Sequence, residues 1–100
     1  MNDEIKLIAA NLDKEFYLSQ CPEARHSPLT LAEHYLRIGG FVGVNPNRKF
    51  SSAAYRFSNP DVAAAQVNPY LHFLRYGKAE GRPIGNPAYV PEELETKPLQ

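Results

Sequence analysis

HYLRIGG at residues 34–40 returns as HFLRYGK at residues 72–78. Both stretches open on histidine and run through Leu-Arg to glycine. Shifting the chain by 38 residues lays Tyr17 on Tyr55, Pro22 on Pro60, His34 on His72, Leu36 on Leu74, Arg37 on Arg75, Gly39 on Gly77 and Gly43 on Gly81. Conservative pairs fill the gaps: Leu12 with Phe50, Glu23 with Asp61, Ala24 with Val62, Leu29 with Val67 and Tyr35 with Phe73. A period of this length is that of a helical repeat unit.

The punctuation divides each unit. Asp13 is placed to cap a helix through Glu15, Phe16, Tyr17 and Leu18, and Ser51 or Ser52 takes that role before Ala53, Ala54, Tyr55 and Phe57. A residue before proline leaves the α region, so these helices should stop at Cys21-Pro22 and Asn59-Pro60. Proline suits the first turn of the next helix. Asn59 is therefore expected to cap a short helix over 60–65, and Asn68-Pro69 repeats the device. Ser27-Pro28 is the expected counterpart in the first unit, starting its last helix about one turn earlier. Gly39 and Gly77 are expected as left-handed caps at the ends of the last helices, followed by tight turns at Gly43 and Gly81. Leu29, Ala32 and Leu36, with Leu31, Tyr35 and Ile38 beside them, form the expected buried face; Tyr70, Leu71, Phe73 and Leu74 form it in the second unit.

One helical unit cannot bury its apolar face alone, but two stacked units can. The expectation is an all-α fold of two stacked ~38-residue helical repeat units with an extra N-terminal helix over 3–10 and a polar C-terminal tail. The repeat domain spans 1–84, with unit one at 12–46 and unit two at 50–84; residues 85–100 read as a Pro-rich linker or partly ordered tail.

Composition narrows the function. Lys plus Arg equals Asp plus Glu, at 11 each, which argues against nucleic acid and against anionic membrane surfaces. A surface of zero net charge favours association between copies. Cys21 is the single cysteine, so no intrachain disulfide and no cysteine-based metal site is expected. The N-terminus lacks a secretory pattern and no run is long enough to span a membrane, so the expected location is cytoplasmic.

The second unit, YRFSNPDVAAAQVNPYLHFLRYGKAEGRP at 55–83, resembles a tandem helical repeat of bacterial proteins. That repeat is found at the N-terminus of glycosyltransferases that build surface polysaccharides, and beside other domains. The resemblance covers residues 12–84 and rests on Asn59-Pro60-Asp61-Val62-Ala63, Asn68-Pro69, His72, Leu74, Gly77 and Glu80-Gly81-Arg82-Pro83. In the first unit it rests on Phe16-Tyr17-Leu18 and His34-Tyr35-Leu36, while Cys21, Ala24 and Val42-Gly43-Val44 depart from the pattern. It implies a non-catalytic interaction or positioning module associated with such an enzyme, mediating self-association or partner docking. The alternative is a carbohydrate-binding module for a bacterial polysaccharide.

The individual residues fit that expectation. His34 and His72 read as neutral imidazoles bonded to a carbonyl, since a zinc site needs three or four ligands. Cys21 with His26 or His34 would need a low thiolate pKa and an orienting third group for nucleophilic catalysis, but Cys21 aligns with Asn59 and reads as a turn residue, so no catalytic residue, metal or cofactor is expected. The longer parent of such a module could itself be a glycosyltransferase. Gly39 to Gly43 and Gly77 to Gly81 lack the Lys-Ser/Thr of a phosphate loop. Arg37 and Arg75 complement helix C-termini, or else grip an acidic partner or sugar acid. Arg37, Arg75, Tyr76 and Arg82 are the candidate binding residues, with Tyr76 and Tyr89 the freest rings for stacking on a sugar. Glu80 and Arg82 are expected to bond turn backbone or each other. Tyr17, Tyr55, His34, His72, Gly39, Gly77, Gly43 and Gly81 are the expected structural positions of the repeat.

Overall fold

The computed structural model describes residues 2–82. The expected tail over 85–100, with Tyr89, and the end of the second unit at 83–84 lie outside the described residues. The described residues form helices joined by loops and carry no β-strand, only an isolated antiparallel bridge between Asn47 and Phe50. Helix α1 spans Asp3–Asn11 and α2 spans Lys14–Gln20. A 3-10 segment, Pro22–His26, leads to α3 at Leu31–Arg37, which a 3-10 turn at Gly39–Phe41 closes. After a loop come α4 at Ser52–Ser58, α5 at Pro60–Ala65 and α6 at Pro69–His72. α6 runs on through a π-helical segment, Phe73–Gly77, into α7 at Lys78–Glu80.

Local chemistry explains most of the helix ends. Asp13 accepts a hydrogen bond from Phe16 N–H, and Ser51 rather than Ser52 accepts from Ala54 N–H. Cys21 and Asn59 terminate α2 and α4 at the residue before proline. Asn68 caps α6, its Oδ1 accepting from the N–H groups of Tyr70 and Leu71. Three expectations fail. α3 does not start at Ser27-Pro28: Thr30 is its N-cap, in a capping box with Glu33, while Ser27 Oγ accepts from Leu29 N–H. Thr30 and Asn68 are 38 residues apart, so the two helices begin in register. Asn59 does not cap α5; its Nδ2 donates backward to Tyr55 O. Finally, the left-handed glycines are Gly43 at φ 92° and Gly81 at φ 74°, not Gly39 and Gly77.

Gly81 closes the last helix as a Schellman motif. Its N–H donates to Lys78 O, and Arg82 N–H donates to Gly77 O. Val44 N–H donates to Gly39 O, the same bond 38 residues earlier. Gln66 ends α5 the same way at φ 57°, with its own N–H to Ala63 O and Val67 N–H to Val62 O.

The core is a run of edge-to-face rings. Tyr17, Tyr35 and Tyr55 are all 0% exposed. Tyr35 meets Tyr17 at 83° between planes, meets Tyr70 at the same angle, and exchanges a 2.7 Å hydrogen bond with Ser52 Oγ. Phe50 packs on Tyr55, Tyr70 and Phe73. Ala32 and Leu71 join this core, but Ile38, expected inside, is 43% exposed because α3 ends at Arg37 and its backbone turns at φ −128°. α1 packs against α3 and α6, burying Ile8 fully, which contributes about 1.5–3 kcal/mol. Asn47 Nδ2 ties Asn11 O to the Tyr70 hydroxyl at 3.0 Å each.

Candidate functional site

Two helix pairs place a tyrosine against a histidine. Tyr17 on α2 meets His34 on α3 at 2.6 Å between hydroxyl and Nδ1, and Tyr55 on α4 meets His72 on α6 at 3.0 Å. Burial pushes both phenols up, Tyr17 well above its ordinary range, so they stay protonated. Neither hydroxyl has another hydrogen-bond partner among the described residues. Each phenol therefore donates and each Nδ1 accepts, which leaves the ring proton on Nε2. The expected bond from a ring N–H to a carbonyl is absent among the described residues; the ring is held at Nδ1 by a tyrosine instead, because the helix carrying the ring faces the helix carrying the phenol. Gly39 and Gly77 stand over those phenols: a Cβ at either position would overlap the tyrosine hydroxyl. Their role is close approach rather than left-handed backbone.

Cys21 lies beside the first pair. It is buried, and its thiol donates to Glu23 Oε2 at 3.3 Å. Burial and then the Glu23 hydrogen bond push the thiol above its usual range, which disfavours the thiolate a nucleophile needs. His26 is exposed in the 3-10 segment. Among the described residues no three His, Cys, Asp or Glu side chains are grouped to hold a metal ion, and no helix is long and apolar enough to cross a membrane.

The four candidate binding residues fall apart. Arg82 is spent internally: Nη1 donates to Asn59 Oδ1 at 2.9 Å, Nη1 and Nη2 fork onto Asp61 at 3.1 Å, and Nε donates to Glu80 at 2.8 Å. The first half has Val44 and Val42 where Arg82 and Glu80 stand, so it lacks this clamp. Arg75 reaches 3.2 Å across to Glu4 on α1. Both side chains are more than a third exposed, so this pair contributes only about 0–1 kcal/mol. The Arg37 side chain makes no hydrogen bond or ion pair with another described residue. Tyr76 is 54% exposed, its ring 5.5 Å from that of His72.

Arg37 lines a groove of about 360 Å³ where α1, α3 and the start of α6 meet, with Asn2, Glu4, Leu36, Gln66 and Asn68 among the other walls. A smaller groove of about 290 Å³ lies between α1 and α3, lined by Ile5, Ala9, Leu12, Leu31 and Ala32. The sequence pointed to Arg37 but not to Gln66 or Asn68. The Asn-Pro step at 68–69 signalled a cap, yet nothing in it told that the same amide would reach α3. The chain matches no protein-family model, no curated protein and no solved structure.

Proposed function

We propose that the chain is a stack of two helical units serving as a non-catalytic interaction or positioning module. The two-unit reading is supported by contacts recurring 38 residues apart: the Asp13 and Ser51 caps, the Thr30 and Asn68 caps, the two Tyr–His pairs, and the glycines over them. The observation that carries docking is the end of α3. The Arg37 side chain, on the groove's wall, is without a partner among the described residues, and Ile38 and Val42 (65% exposed) follow it in the chain. A cation beside exposed aliphatic side chains suits a protein surface, either a second copy or a separate partner. Service to a bacterial polysaccharide-building glycosyltransferase rests on the sequence resemblance alone, and the cytoplasmic setting is the expectation drawn from the sequence pattern. Sedimentation equilibrium tests the self-association arm. The mean mass of the wild type is expected to rise with concentration, and Ile38→Ser with Val42→Ser to flatten that rise. A monomer at every concentration would remove self-association.

A carbohydrate-binding module is the second reading, favoured by the exposed Tyr76 ring beside His72. Neutral and acidic oligosaccharides would then move the amide resonances around Tyr76. Resonances that stay put would eliminate it.

A further inference from the structure

α3 leaves two of its last carbonyls without backbone partners. The N–H of Ile38 goes to His34 O, that of Phe41 to Ile38 O, and those of Val42 and Val44 to Gly39 O. Tyr35 O and Leu36 O are met instead by the side chain of Asn68, whose Nδ2 donates to them at 3.2 and 3.1 Å. The same amide's oxygen caps α6. One buried asparagine therefore satisfies the end of one helix and the start of another. It reaches α3 because residue 40 is glycine. A Cβ there would overlap Asn68 Nδ2 and crowd the Tyr35 ring.

Thirty-eight residues further on, these conditions are reversed. Phe73 stands where Tyr35 does, but its carbonyl is filled by Lys78 N–H through the π-helical segment. Gly40 is replaced by Lys78 itself, which carries a Cβ and a long exposed side chain. At the other end of the stack Thr30 stands in Asn68's place, and its hydroxyl and backbone N–H are both engaged with Glu33 in the capping box. We infer that the Asn68–Gly40 contact is the joint by which the second unit docks on the first, and that the π-helical segment with Lys78 closes the stack. No second copy of this chain adds on through that end. The inference rests on the two-unit reading proposed above. Association between copies therefore uses another surface, the end of α3 set against the same patch of a second copy, and such two-fold pairing stops at a dimer.

Two measurements on the full chain test this. Denaturant midpoints for Gly40→Ala, Asn68→Ala and the double variant test the joint. Gly40→Ala is expected to lower the midpoint, and the Asn68→Ala background to remove at least about half of that loss, because the overlapping atom is gone. Additive losses at the two positions would overturn the joint. Should Gly40→Ala not fold, Asn68→Asp serves instead. It keeps the capping oxygen and lacks the donors, so it is expected to unfold at lower denaturant than wild type; an unchanged midpoint overturns the joint. Sedimentation velocity tests the closure. A finite dimer fits both proposals, and a monomer fits closure while counting against self-association alone. Mean mass that climbs without limit overturns closure while supporting association.

Discussion

At the scale of single residues, the molecule depends on small side chains standing where large ones arrive. Gly39 and Gly77 admit the hydroxyls of Tyr17 and Tyr55, which in turn hold His34 and His72. Gly39→Ala and Gly77→Ala should each lose about 1–3 kcal/mol of stability by overpacking. Tyr17→Phe should lose about 1–3 kcal/mol, since it strands the buried His34 Nδ1. Combined with Tyr17→Phe, Gly39→Ala should cost less than it does alone. Urea unfolding of the four variants measures all of this. Full cost of Gly39→Ala in the Tyr17→Phe background would show that the glycine serves the backbone instead. The sequence displayed each tyrosine, histidine and glycine twice at one spacing. It did not say which met which, because the spacing fixes recurrence and not contact.

Among the elements, helix ends were the most legible feature, and the errors have physical reasons. Ser27-Pro28 looked like a start, but Thr30-Leu31-Ala32-Glu33 carries a reciprocal capping box that satisfies two backbone donors, and it sets the start of α3. The end of α5 was illegible, since Gln66 takes the left-handed conformation usually reserved for glycine. It is held there by the Schellman bonds to Ala63 and Val62. Gln66→Gly should raise stability by about 0.5–1 kcal/mol, relief of side-chain strain being partly offset by the glycine's greater freedom when unfolded. Thermal melts read this directly, and a lower melting temperature would mean that the Gln66 side chain makes contacts worth more than the strain.

For the whole molecule, the last turn is fastened to α5 by charge. The hydrogen bonds from Arg82 hold the Asp61 carboxyl below the usual carboxylate range. A carboxylate with a depressed folded value stabilises the fold above its unfolded value, about 3.9, and that contribution is lost as pH falls further. Stability should therefore drop below about pH 4, and the drop should be shallower in Asp61→Asn and in high salt, because the pair is exposed. Urea midpoints across roughly pH 3 to 7 check it; an identical acid slope in Asp61→Asn would assign the loss to other carboxylates. What the sequence determined by itself was the helical class, the caps at Asp13, Ser51 and Asn68 and the 38-residue recurrence, because helices and caps depend on dihedral preferences and hydrogen bonds within about four residues of each other. Tertiary structure alone decided that Asn68 would bond α3, that Arg82 would close on Asp61, and that Arg37 would be left at the rim of a groove. Each of these depends on where separately formed helices come to rest against one another, and that is set by the packing of buried rings and the absence of a Cβ at residues 39, 40 and 77.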